Sequence, residues 1–300
     1  MKPLYKLAAI SLVIFAQGCT SLGNEGKQPA TMGQLVIAEP MPVNYKSEIA
    51  LARLTEVIQR AEITDLQKAQ LYYDRGVIFD SVGLRSLARL DFNRALRLKP
   101  DLVDAYNFLG IHFTQLQEFN QAYDSFDSAL DLAPEHDYAY LNRGIALYYG
   151  GRPGLAKDDF ATFHQKQTND PYRLIWLYLA EQKVDQEKAL ANLKAKVDLI
   201  HDDTWAKQII YLYLDELPQS QFIDQLTDNI QSNKELTDRL CEAYFYLGKY
   251  SQIHGHPNVA ANYFKLALST NVYEFVEHRY AKLELELMRE KIAGKAAPVN

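Results

Sequence analysis

The chain has 300 residues, of which 23% are charged and 48% hydrophobic, and a net charge of −6; this is an ordinary composition for a folded protein. The acidic balance and the lack of any basic block exclude a typical nucleic-acid-binding protein. At this length a single compact core gives way to several domains or to an elongated array of repeats.

The first 18 residues are predicted to be a secretory signal peptide. A positively charged start precedes an apolar run from Leu7 to Ala16, which is shorter than the about 20 apolar residues that cross a bilayer. The run ends at Gly18-Cys19, as in a bacterial lipobox, although the two residues before Gly18 depart from the usual pattern of that signal. We therefore expect Cys19 to be acylated and to become the new N-terminus, with ordinary cleavage or a free thiol as the alternatives.

Residues 19–43 are predicted to form the lipidated N-terminus and a flexible tether. They contain Gly, Pro, Asn and Ser without a helical period, and about 24 flexible residues have an end-to-end distance of roughly 25–30 Å. Thr20 follows Cys19 in place of the Asp that retains some lipoproteins in the inner membrane. This favours the outer membrane, where stable attachment needs more than one acyl chain.

The helical array predicted for residues 44–290 begins with a helix from Tyr45 to Arg60 that closes its first end. Its apolar stripe is Ile49, Leu54, Val57 and Ile58. Beyond it, a glycine, an alanine and a phenylalanine recur at a period of 34 residues, which is typical of tetratricopeptide repeats with two helices per unit. The recurring residues are Gly76, Ala88 and Phe92, then Gly110, Ala122 and Phe126, then Gly144, Ala156 and Phe160.

Each of these glycines is predicted to lie inside a helix, where Gly costs about 1 kcal/mol relative to Ala. A cost that repeats at a fixed position indicates helices so close together that no side chain fits between them. Pro100 and Pro134 end the first two units, and Asp101 and Asp137 are expected to be N-caps of the helices that follow. The clear repeats are therefore 69–102, 103–136 and 137–170.

A fourth clear repeat, 241–274, keeps the same internal spacing in Gly248, Ala260 and Phe264. Residues 171–240 are expected to hold two degenerate helical units, the first opened by the cap and first-turn proline of Asp170-Pro171. A capping helix at about 272–290 follows, and residues 291–300 are predicted to be a disordered tail. The capping helix has the apolar stripe Val276, Tyr280, Leu283 and Leu287, with charged residues that include Glu277 and Glu284 on its other faces.

No pattern typical of catalysis or metal binding is present in the sequence. His254-Gly255-His256 is the one local histidine pair, and no further ligand lies nearby at a suitable spacing. G-x-S-x-G, H-E-x-x-H and phosphate-binding glycine loops are all missing. We expect no enzyme activity, no metal and no cofactor. Cys241 is interpreted as a small, semi-buried residue, the alternative being an intermolecular disulfide.

The first helix of each unit usually lines the concave surface of such an array, and we expect this surface to bind protein partners. Its predicted residues are Tyr73, Val77, Asn107, Ile111, Leu141, Ile145 and Tyr148. The lysine, asparagine and arginine set that clamps a C-terminal carboxylate in some arrays is missing, which disfavours a receptor for chaperone tails. For Tyr148 and Tyr149, packing at a helix end is favoured over a role as interface anchors.

Several longer strings, together with the signal, Cys19 and the repeats, resemble the NlpI-type bacterial outer-membrane lipoproteins. These strings are 72–80 with 84–91, NRGIALYYGGR at 142–152, NDP at 169–171, WLYLAEQK at 176–183, 246–250 and FVEHRYA at 275–281. The resemblance spans most of the chain and weakens in the signal, in residues 195–232 and in the tail.

The resemblance implies an all-α, homodimeric scaffold with tetratricopeptide repeats, anchored in the outer membrane and facing the periplasm. Such proteins act as adaptors that bring the tail-specific protease Prc to the peptidoglycan endopeptidase MepS, and they are linked to cell-wall growth and cell division. The main alternative is a structural organiser of envelope complexes without a proteolytic role. A peptidoglycan hydrolase with an unrecognised site is the enzymatic alternative.

Overall fold

The 34-residue period is built as a series of helix pairs. A computed structural model describes residues 35–60, 62–201 and 204–294, and within these ranges it shows α-helices and two short 3-10 turns but no strand. Helices α2 to α13 pack as successive pairs, which confirms the predicted all-α tetratricopeptide-repeat solenoid. The helices are α1 (Tyr45–Arg60), α2 (Asp65–Ser81), α3 (Arg85–Leu98), α4 (Val103–Gln115), α5 (Phe119–Leu132), α6 (Asp137–Tyr149), α7 (Pro153–Gln165), α8 (Pro171–Val184), α9 (Gln186–Lys196), α10 (Trp205–Tyr213), α11 (Gln219–Asp224), α12 (Asn233–Ile253), α13 (Pro257–Ser269) and α14 (Val276–Ile292).

Each repeat glycine faces the phenylalanine of the second helix in its own pair. A Cβ atom placed on Gly110 would stand 2.6 Å from the ring of Phe126, which is closer than carbon atoms can approach without displacement. The equivalent distances are 2.7 Å from Gly76 to Phe92, 2.7 Å from Gly144 to Phe160 and 2.5 Å from Gly248 to Phe264. The predicted close approach of paired helices is therefore confirmed in all four clear repeats.

The N-caps predicted at Asp101 and Asp137 are each wrong by one residue. Helix α4 is preceded by Leu102, which makes no side-chain cap. His136 caps α6, because its ring Nδ1 accepts the N–H of Ala139 at 3.0 Å. Asp137 is then the first helical residue, where its negative charge still favours the positive end of the helix dipole.

Two helix pairs, α8 with α9 and α10 with α11, occupy the interval between the third and fourth clear repeats. Asp170 opens α8 as its sequence predicts, since its carboxylate accepts the N–H of Tyr172 at 2.8 Å and Pro171 fills the first helical position. Helices α10 and α11 are short, and α11 continues into a 3-10 turn that ends at Thr227. These short helices explain why the 34-residue period is hard to see in this part of the sequence.

An extended segment, residues 35–44, lies against the fourth clear repeat. The hydroxyl of Tyr244 both accepts from the N–H of Val36 and donates to its carbonyl oxygen, and the N–H of Met41 donates to the carbonyl of Thr270 at 2.9 Å. The flexible tether predicted for residues 19–43 is therefore docked in its last part. Docking through the backbone leaves no side-chain period, so it cannot be predicted from the sequence pattern.

The two terminal helices pack to very different extents. In α1, Ile58 is buried, whereas Ile49 and Val57 are 46% and 41% exposed. In α14, eight residues are buried, and the helix contacts α4, α12 and α13. The predicted signal peptide, Cys19 and residues 295–300 of the predicted tail lie outside the described residues. None of the described helices is long and apolar enough to cross a membrane.

Candidate protein-binding cleft

Helix α14 is fastened by its polar side chains to the first helices of the repeats. Near its beginning, Arg279 donates to Asp80 of α2, and the same carboxylate lies 2.8 Å from Nε2 of His112 on α4. Burial alone would raise the pKa of Asp80, but the hydrogen bond to His112 and the charge of Arg279 hold that pKa below its ordinary value. The start of α14 is thereby tied to the first two repeats.

A second buried cluster holds the middle of α14. Lys249 of α12 donates to Glu284 and, at 2.9 Å, to the hydroxyl of Tyr148. Tyr149 and Gln252 also donate to Glu284, at 2.9 and 2.8 Å. Burial opposes the charge on Glu284, yet the ammonium of Lys249 lowers the pKa of Glu284 below its ordinary value. Both partners are therefore charged in the interior, and loss of either would leave a buried unpaired charge.

Two aromatic contacts complete this packing and settle the role of the adjacent tyrosines. The ring of Tyr149 stacks on Tyr280 of α14 with centroids 5.4 Å apart, and Trp176 of α8 lies 6.4 Å from the same ring. Tyr148 is 4% exposed. Packing at a helix end, the favoured interpretation for Tyr148 and Tyr149, is confirmed. Helix α14 thus crosses the inner face of the array and reaches side chains on α2, α4, α6, α8 and α12.

This position of α14 determines what remains open of the predicted concave surface. Tyr73 and Val77, in the first repeat, are half-buried. The other five residues are less than one-tenth exposed: Asn107 at 7%, Ile111 at 6%, Leu141 at 7%, Ile145 at 0% and Tyr148 at 4%. The sequence predicts an accessible surface here, but the five side chains are packed: Asn107 accepts from Asn142 of α6 at 3.0 Å, and Tyr148 accepts from Lys249 of α12 at 2.9 Å. A partner-binding role for the set stays a prediction, and Tyr73 and Val77 have the most open side chains within it.

A cleft of about 440 Å³ opens where the start of α14 meets α6, α7, α8 and α12. This volume is within the range of sites that hold a small ligand or one to two side chains of a partner. We call it the aromatic cleft, because four of its lining residues carry aromatic rings from α6, α7 and α8. Its lining includes Tyr138, Leu141, Phe163, Tyr172, Arg173, Trp176, Glu242, Glu274 and Glu277.

The rim and the wall of the aromatic cleft differ in exposure. Tyr138 is 61% exposed, although its ring lies 6.2 Å from that of Phe163. Trp176 is 2% exposed and forms the inner wall. Leu141 is the one residue of the predicted concave set that lines the cleft. An exposed tyrosine at the rim of a cleft with a buried tryptophan in its wall is the kind of aromatic anchor on which protein interfaces depend.

The half-buried carboxyl group of Glu242 and the buried one of Glu277 give the aromatic cleft an acidic wall. Glu242 accepts the hydroxyl of Tyr172 at 2.6 Å, and Glu277 accepts that of Tyr246 at 2.9 Å. Burial raises the pKa of Glu242, and the charge of Glu277 raises it further; burial likewise raises the pKa of Glu277. The pair therefore holds protons more strongly than free glutamates do.

The single arginine of the cleft does not neutralise this acidic wall. Arg173 lies 3.3 Å from Asp137 and 3.5 Å from Asp170, so its charge is already balanced by those two residues. Glu274 stands exposed at the rim. The aromatic cleft can accordingly hold an apolar or aromatic side chain together with a neighbouring positive charge.

The sequence pattern did not single out the acidic residues of this site. The sequence pattern puts Glu277 and Glu284 on the faces of the capping helix other than its apolar stripe, but the structure buries both, at 7% and 5% exposed. The two carboxylates lie seven residues apart on one helix face, next to the apolar stripe that contains Tyr280. That seven-residue spacing is the one feature of the sequence that could indicate burial of the two carboxylates, but it is equally typical of a solvated helix face.

The remaining candidate residues have structural positions. Cys241 is fully buried and unpaired, and burial raises the pKa of its thiol, so the alternative of an intermolecular disulfide would require α12 to open. His254 and His256 lie in the turn between α12 and α13. Across the described ranges, no group of three or more His, Cys, Asp or Glu side chains could hold a metal ion.

No protein-family model matches the sequence. Among solved structures, a tetratricopeptide repeat protein from Parabacteroides merdae is 15% identical, covers 82% of this chain and 100% of its own length, and has a TM-score of 0.49. YrrB, described as a TPR protein with an unusual peptide-binding site, is 15% identical over 78% of this chain and 97% of its own, with a TM-score of 0.42. PilW, described as a type IV pilus biogenesis factor, is 18% identical over 79% and 98%, with a TM-score of 0.37. The assignment of the fold rests on this chain's own helix packing.

Proposed function

We propose that this protein is a non-catalytic scaffold that binds a protein segment in the aromatic cleft. The observation that carries the proposal is the combination of an exposed Tyr138, a buried Trp176 and an acidic wall in one open cavity of about 440 Å³. Helix-pair solenoids bind partners through surfaces of this kind. The polar contacts that hold α14 also fix the cleft in the free chain, so little ordering is needed on binding.

The charges of the aromatic cleft define the partner segment. Three glutamates line it, and its one arginine is paired with Asp137 and Asp170. The partner therefore presents an aromatic or aliphatic side chain beside a lysine or arginine. A basic side chain would favour the charged forms of Glu242 and Glu277, whose pKa values burial has raised, and so binding would release protons.

The finer proposal follows from the resemblance to the NlpI-type lipoproteins. The chain would be anchored by acylated Cys19 in the outer membrane, face the periplasm, and bring the tail-specific protease Prc to a peptidoglycan endopeptidase such as MepS. Its mechanism would be effective concentration: one scaffold holds protease and substrate together and raises their encounter rate without new chemistry. This role would link the protein to cell-wall growth and cell division.

A homodimer is proposed as well, on the same resemblance. The apolar side chains that α1 leaves exposed support it, since Tyr45 is 64%, Ile49 46% and Val57 41% exposed. Large apolar side chains left exposed on one helix are available for contact with a second copy of the chain.

Reconstitution tests the adaptor proposal. Protease and endopeptidase are incubated with and without the purified protein, and loss of the endopeptidase is followed by gel electrophoresis. We expect faster degradation with the wild-type protein and little acceleration with Tyr138→Ala. Equal rates with and without the scaffold would reject the adaptor role. If the protein binds both partners and the rate is unchanged, the structural organiser without a proteolytic role becomes the better explanation.

Lipid attachment is tested separately. The Cys19→Ser variant is expected in the soluble fraction of cells, whereas the wild-type protein should sediment with the outer membrane. A Cys241→Ser variant provides the matched control, because its thiol is buried in α12 and should not affect attachment. Membrane association of Cys19→Ser at the wild-type level would contradict the lipid anchor.

A further inference from the structure

A second, smaller cavity also borders α14, but its lining is basic, whereas that of the aromatic cleft is acidic. It has a volume of about 140 Å³ and is formed by the start of α3, the end of α4 and the middle of α14. This is several times the roughly 30 Å³ that one water molecule occupies in the liquid, and it suits a small polyatomic ion. We call it the basic pocket, and its polar lining residues are Arg85, Ser86, Arg89, His112, Gln115, Arg279 and Lys282.

The positive charges of the basic pocket exceed the negative charges near it. Four of its residues are arginine or lysine. Arg279 is paired with Asp80, and Lys282 lies 3.8 Å from Glu286. The other two, Arg85 and Arg89, form no ion pair with any of the residues that the structure describes, whereas the whole chain carries a net charge of −6. A local excess of two positive charges in an acidic protein attracts anions.

Arg85 is the residue that most lacks a partner. It makes no hydrogen bond within the described ranges, and burial lowers the pKa of its guanidinium, with the charge of Arg279 lowering it further. Arg89 follows one helical turn later on the same face of α3, and it has a single long hydrogen bond of 3.5 Å to Ser86. Both side chains are half-buried, and a guanidinium without an ion-pair partner can bind an oxyanion through charge-assisted hydrogen bonds.

Independent polar groups point into the same space. Among the described residues, neither end of the Gln115 side-chain amide has a hydrogen-bond partner, so its NH2 group is free to donate to an anion. Nδ1 of His112, which is 1% exposed, also has none, but because Nε2 of this ring faces Asp80, Nδ1 is an acceptor and not a ligand for an oxyanion. Helix α3, which has fourteen residues, begins at Arg85 without a side-chain cap from Leu84. The N–H groups of Arg85 and Ser86 are therefore not capped by Leu84, whereas that of Leu87 donates to the carbonyl of Leu84 at 3.0 Å; helix N-termini favour negative charge.

We propose that the basic pocket binds a phosphate group, with Arg85 and Arg89 as its principal ligands. Two unpaired guanidinium groups match the two charges of a phosphate monoester, and the forked donors of arginine bind such oxyanions bidentately. The uncapped start of α3 and the amide of Gln115 supply further donors. Because the cavity is small, the phosphate group enters it and any organic part of the ligand stays outside.

The first measurement uses the wild-type protein and three ions. Melting temperature is followed by circular dichroism, and binding by calorimetry, with inorganic phosphate, acetate and chloride at equal ionic strength. We expect phosphate to raise the melting temperature in a saturable way, and acetate and chloride to have at least tenfold weaker effects. If phosphate raises the melting temperature no more than chloride does, the proposal is overturned by the wild-type protein alone.

Matched variants then locate the site. Arg85→Gln/Arg89→Gln removes the two unpaired guanidinium groups, and Arg53→Gln/Arg97→Gln removes the same charge from exposed positions on α1 and α3. We expect at least a tenfold loss of phosphate affinity in the first variant and less than a twofold loss in the second. Equal losses in both would show that the effect comes from net charge, which contradicts a defined site. The single variant Arg89→Gln serves the same comparison if the double variant fails to fold.

Two further ligands distinguish the source of the phosphate. Glycerol 3-phosphate represents a soluble monoester, and vesicles of phosphatidylcholine with and without phosphatidic acid represent a lipid headgroup. If one of these ligands binds the wild-type protein but not Arg85→Gln/Arg89→Gln, it binds in the basic pocket, and its identity shows whether the phosphate group comes from a soluble monoester or from a lipid. If neither ligand binds and inorganic phosphate does not bind either, the phosphate-binding proposal is rejected. None of these measurements involves the protease or the endopeptidase, so their outcome is independent of the adaptor proposal.

Discussion

Gly110 lies so close to Phe126 that a Cβ atom on the glycine would stand 2.6 Å from two carbons of the ring. Phe126 is fully buried, and its ring occupies the place of a side chain on α4. The glycine is therefore conserved within the chain, from repeat to repeat, for a steric reason. The same relation recurs at Gly76, Gly144 and Gly248, which makes it the fixed contact of every clear repeat.

The variant Gly110→Ala is expected to destabilise the protein by about 1–3 kcal/mol, because it overpacks a core that has no free space. This loss exceeds the gain of up to about 1 kcal/mol that Ala normally gives over Gly in a helix. Chemical denaturation followed by circular dichroism measures the difference. Gly154→Ala is the matched control: Gly154 lies in α7, and a Cβ there meets no atom within 4 Å. The control should be neutral or stabilising, and equal behaviour of the two variants would refute the steric explanation.

The repeat framework could be predicted from the sequence because its determinants are local and periodic. Gly110, Ala122 and Phe126 are fixed by contacts between two helices that are adjacent in the chain, so their spacing is preserved in each copy. The position of α14 could not be predicted in this way. Its partners, such as Asp80 for Arg279, lie up to 199 residues away in the sequence, and no period records a contact of that kind.

The aromatic cleft was missed for a related reason. Leu141 was predicted because it belongs to the first-helix face of a clear repeat, and the cleft does contain it. Glu242 and Glu277, by contrast, meet only because α12 and α14 pack together, and an isolated glutamate in a helix is usually solvated. The sequence therefore placed part of the site on the correct face but could not show that α14 fills much of that face.

Lys249→Met is expected to destabilise the protein by about 3–5 kcal/mol, since it leaves the charge of Glu284 buried without its partner. Part of this stability should return in Lys249→Met/Glu284→Gln, where the oxygen of the neutral amide can still accept from Gln252 and its NH2 group can donate to the hydroxyl of Tyr149. Denaturant unfolding of both variants measures the coupling. Limited proteolysis near residues 270–275 would report whether α14 detaches. A double variant no more stable than the single variant would contradict a charge-based cause.

The same ion pair predicts a loss of stability in acid. The pKa of Glu284 is below its ordinary value in the folded protein, so the folded state binds this proton less readily than the unfolded chain. The resulting stabilisation is present above the unfolded pKa of about 4.3 and is lost as the pH falls through the folded pKa. Between pH 6 and pH 3, the wild-type protein should lose more stability than Lys249→Met/Glu284→Gln, which lacks the pair. Parallel pH profiles would disprove this contribution.

For Glu242 we expect the opposite dependence of stability on pH. Burial and the neighbouring Glu277 raise its pKa in the folded protein, so the folded state holds a proton that the unfolded chain releases above about 4.3. Stability from this group is complete below that pH and decreases as the pH rises towards the folded pKa. Glu242→Gln imitates the protonated form and should raise the melting temperature more at pH 8.5 than at pH 4.5. Glu187→Gln, at an exposed position of α9, is the control and should have a small effect at both. An equal effect of Glu242→Gln at the two pH values would refute the shift.

Tyr138→Ala is expected to weaken binding of the partner segment by at least tenfold, which corresponds to about 1.4 kcal/mol. The reason is that an exposed tyrosine at the rim of a cleft with a buried aromatic wall has the character of an interface hot spot. Tyr138 is 61% exposed, so its replacement should change the melting temperature little, and loss of affinity can be separated from loss of fold. Calorimetry with the purified protease and endopeptidase measures the effect. Leu155→Ala is the control, since Leu155 is 53% exposed on α7 and does not line the aromatic cleft. If both variants bind as the wild-type protein does, the partner segment lies elsewhere, and the half-buried Tyr73 and Val77 of the first repeat become the next residues to replace.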